Sequence, residues 1–412
     1  MPTSFNASTQ MSVRHAIRST GASSSITVPL SSVTVTAGTE SALPASAVLQ
    51  AASANTEIAS APNNREEPDN LRMGTPFQND VSEMITITDR GVRAAGTCAC
   101  IAVIVLALCL GEPTLDPVRA LDAVLDPSNP LHPHVALIRL PRVLLGLVSG
   151  AALGLAGALM QDVLRNRIAG PEILGVSSGA AVAMTAVAVF AIPLPLTALP
   201  YLALCGAAVA GIAVITTVGP TSDPHRVVLL GAAVSALASG LVIALVSLGT
   251  EGNLPLLFRY LLGSLGERGW SHLGVAAPWL AVFIPLALLM RHRVAALALG
   301  DDVAAGLGIS VVPTRLTALV CAAALTAAVA SVCGPVAYVA LLSPHLARWA
   351  LHTTSSRRIF LLTPIVGAFL LAAADLASRI VLYPIEIPVG ITTTLLGVPA
   401  LLIALHRQSA TR

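Results

Sequence analysis

The chain has 412 residues, of which 55% are hydrophobic and only 11% charged, and a formal net charge of +2. That composition does not stay soluble as a free domain and puts the chain in a bilayer, while so small a charge gives no reason to expect a nucleic-acid partner. All 23 basic residues are Arg and none is Lys, which excludes a P-loop, whose Lys must reach the β/γ-phosphates; any ATP hydrolysis must come from another chain.

Residues 1–88 are rich in Ser, Thr, Ala and Asn and lack lasting periodicity. They cannot bury enough apolar surface to offset their ordering entropy, so they are expected to be a disordered extension, with 89–412 as a transmembrane domain. The first 39 residues hold two Arg and no acid, a transit-peptide trait. The alternative is an over-long start, with Met73 and Met84 as candidate true starts. The first apolar stretch, Ala94–Leu110, has no A-x-A cleavage site after it and reads as an uncleaved span.

About 20 apolar residues are needed to cross the hydrocarbon core as a helix. Ten such spans are expected, near 94–111, 142–162, 173–192, 196–218, 227–248, 273–291, 315–332, 335–351, 359–380 and 388–406. With the N-terminus inside, thirteen Arg fall on inner segments and six on outer ones, and an even span count agrees with both termini being cytoplasmic. Two outer segments exceed a turn: Glu112–Ile138, with a short helix at Pro117–Leu125, and Asn253–His272, read as a re-entrant or surface helix. No soluble enzyme domain is inserted.

Several patterns invite a functional reading. Gly146, Gly150, Gly154 and Gly157 line one helix at small-residue spacing, as in close helix packing, which is the ordinary reading and marks this helix as central. Leu299, Gly300, Asp301, Asp302, Ala304, Gly306, Leu307 and Gly308 form a short amphipathic inner helix opened by two acids, either a solvated connector or a docking element. Asp375 and Arg379 lie four residues apart, either as a self-neutralising pair or with Arg379 at the outer mouth beside Arg139 and Arg142, where exposed guanidinium groups would take carboxylates of a partner or ligand. His132-Pro-His134 falls short of a metal site, His345 reads as a packing residue, and the six cysteines read as small buried side chains without zinc spacing. Gly334, Pro335 and Pro344 interrupt an apolar run in GPVAYVALLSPHLAR, which a membrane tether does not need.

RLPR at 139–142, RNRIAGPEILGVSSGAA at 165–181 with Gln161 before it, LLGSLGERGW at 261–270, LGDDVAAGLG at 299–308, GPVAYVALLSPHLAR at 334–348, ADLASR at 374–379 and EIPVGITTTLLGVP at 386–399, in this order, resemble the FecCD-type permeases. These are the membrane subunits of bacterial ABC importers for ferric siderophores, haem and cobalamin. The resemblance runs from about Arg90 to Arg407. It implies an all-α membrane protein of about ten transmembrane helices, a bundle like that of the cobalamin importer permease, in the bacterial inner membrane. It also implies two ATP-binding subunits, an extracytoplasmic substrate-binding protein and a second permease, identical or homologous. No catalytic residue, bound metal or cofactor is expected in this chain; ATP would be used by the partner.

By the resemblance, Arg139, Arg142 and Arg379 engage the binding protein, residues 299–308 couple to the ATPase, and the glycines together with Gly334, Pro335 and Pro344 serve packing and gating. The chain departs from the family pattern at Asn166-Arg167, usually Asn-Pro, at Ala337 and Ala340, usually Gly, and at Ser343, usually apolar. Haem or cobalamin is the alternative cargo. A proton-coupled secondary transporter is the rival of a different class, with Asp375 as its main candidate carboxylate.

Overall fold

In a bilayer an unpaired backbone N–H or C=O is costly, so apolar segments close their hydrogen bonds internally and fold as helices. A computed structural model describes residues 76–218, 224–249, 260–353 and 355–410, and among them there is no strand. Its helices are α1 (Pro76–Cys109), α2 (Pro117–Leu125), α3 (Leu140–Val163), α4 (Val176–Val189), α5 (Leu199–Val218), α6 (Pro224–Ser247), α7 (Trp270–Leu289), α8 (Arg291–Leu299), α9 (Asp301–Gly306), α10 (Val311–Cys333), α11 (Val339–Leu351), α12 (Ser356–Ile380) and α13 (Val389–Ala410). A π-helical turn, Pro133–Arg139, leads into α3, and a 3-10 turn, Pro171–Leu174, precedes α4.

Each of the ten expected spans coincides with a helix, and α2 has the bounds expected of it. Among the described residues, seven helices are long and apolar enough to cross a membrane. The expected spans at 335–351 and 173–192 are corrected: α11 has 13 residues and α4 has 14, each about 20 Å at 1.5 Å per residue, short of a ~30 Å hydrocarbon core. The chain before α11, from Gly334 with φ +74 through Pro335 to Tyr338 with φ +67, is not helical. Two further expectations are adjusted. α1 starts at Pro76, so 76–88 is helical; residues 1–75 lie outside the described residues. In the segment read as a re-entrant helix, 253–259 lie outside the described residues, and 262–269 form an irregular loop tied to the 334 break by Ser264 N–H donating to Cys333 O at 2.8 Å.

The bundle is organised around α3. Its span is 78% buried, as is that of α10, against 17% for α6. Leu145, Leu155, Leu159, Met160, Leu325, Phe360 and Leu371 fill the space between α3, α10 and α12. The small-residue stripe explains the contact. A Cβ on Gly150 would strike the Gly367 carbonyl, and one on Gly157 the Ala340 carbonyl. Gly154 would meet Thr363 O at 2.8 Å, whereas Gly146 has nothing nearer than 3.5 Å. Pro344 has no N–H to give the carbonyl four residues back, so it leaves Ala340 O free to lie against Gly157. A second reciprocal pair, Gly179 and Gly206, brings α4 onto α5.

Candidate functional site

Functional side chains gather at the two ends of α3, from Arg142 in its first turn to Gln161 in its last. Nineteen residues of helix separate those positions, about 29 Å, close to the hydrocarbon thickness.

At the first end Arg139 and Arg142, expected to stand exposed, are buried and Arg379 is half-buried, and this corrects the expectation. Arg139 is 6% exposed; its Nη1 donates to Leu108 O at 2.7 Å and its Nη2 to Pro113 O at 2.8 Å. A cation on the last carbonyls of α1 suits the negative end of that helix. Gly111, with φ +138, leaves room for the guanidinium, since a Cβ there would sit 3.1 Å from Nη2. Arg142 is 8% exposed and forks onto Asp375 through Nε and Nη2, at 3.1 and 2.9 Å. Its Nη1 reaches Glu386 at 3.1 Å. Arg379 lies 3.6 Å from Asp375 and donates to Ala107 O at 3.5 Å, and its Nε and Nη2 are buried without a hydrogen bond among the described residues. Asp375 is therefore held mainly by Arg142 and only secondarily by its helical neighbour. Glu386, whose side chain is 52% exposed, was not singled out from sequence; the EIP segment gave no spacing that ties it to Arg142. His132 Nδ1 bonds the Ala123 carbonyl at 2.8 Å. Among the described residues no group of three or more His, Cys, Asp or Glu could hold a metal ion.

At the other end α8 and α9 are hinged by Gly300, with φ +127. Asp301 anchors them: its Oδ1 accepts from Arg315 Nη2 at 2.6 Å and pairs with Arg165 at 3.4 Å. Ala304 is buried against the bundle, and Asp302, Gly306 and Gly308 face out. Leu299, Val303 and Leu307 are 69%, 47% and 64% exposed. Val303 and Leu307, four residues apart at α9, share one face, and Leu299 precedes the Gly300 break at the end of α8; together they leave exposed apolar surface at this end. Gln161 links α3 to α11, donating to Leu341 O at 3.1 Å and accepting from Arg348 Nη2 at 2.8 Å.

Between the ends, Gly334 and Pro335 sit where α10 breaks. Tyr260 OH donates to Ala330 O at 2.9 Å, and Gly390 N–H donates to Gly263 O at 3.2 Å. Gly263 and Gly334 both adopt positive φ because the backbone of 260–264 passes directly against 333–335. Pro344 lies within α11 and is buried. Three segments distant in sequence thus meet at one non-helical crossing inside the bundle, which membrane proteins tolerate only where it is enclosed by protein or lines a cavity.

Residues 99–407 match the FecCD transport family. The Fe(3+) dicitrate transport system permease protein FecD of Escherichia coli (strain K12) is 38% identical over 272 residues, 65% of this chain and 84% of that protein. The hemin transport system permease protein HmuU of Yersinia pestis is 35% identical over 285 residues, 68% of this chain and 85% of that protein. The ferric enterobactin transport system permease protein FepG of Escherichia coli (strain K12) is 32% identical over 316 residues, covering 76% and 94%. A solved structure described as an inward-facing conformation of a metal-chelate type ABC transporter aligns with TM-score 0.68 at 26% identity, covering 77% of this chain and 99% of that one. With the family match running over residues 99–407, this multi-pass membrane protein belongs to the FecCD transport family.

Proposed function

We propose that the chain is the permease subunit of an ABC importer that moves an iron–siderophore complex across the bacterial inner membrane by alternating access. The observation that carries this reading is the exposed apolar surface of Leu299, at the end of α8, and of Val303 and Leu307, at α9, pinned through Asp301 to α10 and to the turn after α3. Such a surface, rigidly tied to the bundle, transmits a push from an ATPase docked beneath it. Two ATP-binding subunits, a second permease and an extracytoplasmic binding protein complete the assembly. Permeation makes no covalent bond; transport depends on a difference in stability between two states of the bundle, which ATP binding in the partner biases.

The opposite end receives the binding protein. Its three arginines outnumber Asp375 and Glu386, and Arg379 retains donors that no hydrogen bond fills. Arg139 and Arg142 are engaged inside the fold and the unfilled Nε and Nη2 of Arg379 are buried, so all three act in docking by shaping that end and giving it a net positive charge. The names of the relatives, ferric dicitrate, hemin and ferric enterobactin permeases, support an iron chelate as cargo; haem is the second reading, on the hemin permease. A proton-coupled carrier is disfavoured because Asp375 is held by two guanidinium groups.

The test is uptake of radiolabelled ferric siderophores, ferric citrate, haem and cobalamin in a deletion strain with and without this gene, under ATP depletion as control. ATP-dependent restoration with a ferric siderophore supports the reading. Restoration by haem or cobalamin alone selects the alternative, and restoration that survives ATP depletion but not dissipation of the proton gradient overturns the ABC reading.

A further inference from the structure

A cavity of about 480 Å³ opens at the Gln161 end of α3, walled by the turn after α3, by α8, by the last turn of α11 and by the first turn of α12. Arg165, Arg167, Arg348 and Arg357 line it, and Asp162 is the one carboxylate on its wall. Inner-loop arginines ordinarily spread into solvent. Here four converge, and their own partners do not use them up. Arg165 shares Asp301 with Arg315 at 3.4 Å. Arg348 spends Nη2 on Gln161, and its Nη1 is buried with no hydrogen-bond partner among the described residues. Arg167 and Arg348 are near enough to repel, and Asp162 is divided between Arg348 and Ser356. A buried guanidinium N–H left unfilled among like charges is costly, and an anion in the cavity would satisfy it.

The shape of the donors selects the anion. Guanidinium groups approach from three helix ends at once, which suits a tetrahedral group with several acceptor oxygens better than a carboxylate with two. The 25-residue helix α12 also begins at this cavity, and its N-cap Ser355 makes no side-chain cap hydrogen bond, so the positive helix end and first-turn N–H groups add to the field. Arg167 stands where the family usually has Pro, so its guanidinium adds to the cavity a charge that the family pattern lacks at that position.

We propose that this cavity is a phosphate-group site, occupied either by the headgroup phosphate of an anionic lipid or by free phosphate. The experiment uses the purified full-length chain in phosphatidylcholine nanodiscs. In one arm phosphatidylglycerol or phosphatidic acid replaces a growing share of the lipid. In the other, inorganic phosphate replaces chloride at constant ionic strength. Thermal stability reads saturation, and native mass spectrometry counts retained lipid. Arg167→Ser and Arg357→Ser, both at exposed positions, test the site without removing the Gln161–Arg348 contact, and Arg119→Ser at the far end is the control.

The expected result is a saturable rise in stability that each cavity variant weakens about tenfold in half-saturation, on the scale of one charge-assisted hydrogen bond, while Arg119→Ser leaves it unchanged. A response in the lipid arm alone, with one anionic lipid retained, assigns a headgroup; a response to inorganic phosphate in pure phosphatidylcholine assigns the free ion. No saturable response in either arm, or one that survives the Arg167→Ser/Arg357→Ser double variant, overturns the proposal. Neither result depends on which chelate is imported.

Discussion

Arg142 on α3 and Asp375 on α12, 233 residues apart in sequence, form a buried two-pronged ion pair at 2.9 and 3.1 Å. Removing one partner leaves the other charge buried and unmatched, a loss of about 3–5 kcal/mol. Arg142→Ala and Asp375→Ala are each expected to lower folded yield and thermal stability sharply, and Arg142→Met combined with Asp375→Leu to recover most of it. Melting by fluorescence-detected size exclusion checks this; a double variant as unstable as the sum of the singles counts against a mutual pair.

Gly157 and Gly146 lie on the same stripe but should respond differently. Gly157→Ala drives a methyl into the Ala340 carbonyl, a backbone atom that cannot rotate away, at an expected cost of about 1–3 kcal/mol. Gly146→Ala meets only ordinary contact at 3.5 Å and is expected to be tolerated. Comparing the two melting temperatures tests whether the stripe or the individual crossing point sets the packing.

Val303→Asp and Leu307→Asp place charge on the exposed apolar face at α9 without touching the buried Ala304. Membrane levels should stay normal while uptake falls at least tenfold, because burying an unpaired carboxylate at a protein contact costs more than the ~1.4 kcal/mol that a factor of ten represents. Co-purification with the ATPase subunit is the direct readout, and undiminished co-purification with normal uptake would remove this face from coupling.

Binding-protein docking at the positively charged end that holds Arg379 predicts that Arg379→Gln weakens association, and that wild-type affinity falls with added salt, since paired charges at a rim are screened. Arg139→Glu should also weaken it, but together with a drop in thermal stability, because Arg139 holds the Leu108 and Pro113 carbonyls. Surface plasmon resonance alongside melting separates the two; an Arg379→Gln affinity equal to wild type would be evidence against docking there.

Glu172 sits in the 3-10 turn between α3 and α4, outside the spans, and burial raises its carboxyl above the ordinary range. A raised pKa means that the folded state holds its proton more tightly than the unfolded chain, so stability rises as pH falls toward that pKa. Glu172→Gln is expected to melt higher than wild type at neutral pH, and the gap should shrink in mildly acid buffer. A constant gap would mean that the carboxyl does not titrate differently in the folded state.

The positions of the helices were legible in the chain because each crossing segment must satisfy its own backbone, so hydropathy and Pro/Gly punctuation mark it locally. The small-residue stripe was legible for the same reason: Gly at 150, 154 and 157 is a repeat within one helix. Its partners were not, since Gly367 and Ala340 come from helices whose approach depends on the whole bundle. The length of α11 also escaped, because GPVAY is apolar and hydropathy does not register that it is not helical.

The arginines divide along the same line. Their clustering near segment ends, and the absence of Lys, follow from composition and order alone. Whether a guanidinium faces water or a carboxylate is decided in three dimensions. Arg142 is buried because α12 delivers Asp375 and the following loop delivers Glu386 to it, while Arg348 meets Gln161 Oε1 through Nη2 and keeps an Nη1 unfilled among the described residues. Sequence determined which residues could carry charge at each end of the bundle; tertiary structure decided which charges cancel, since Coulombic pairing acts over a few ångströms that chain separation does not encode.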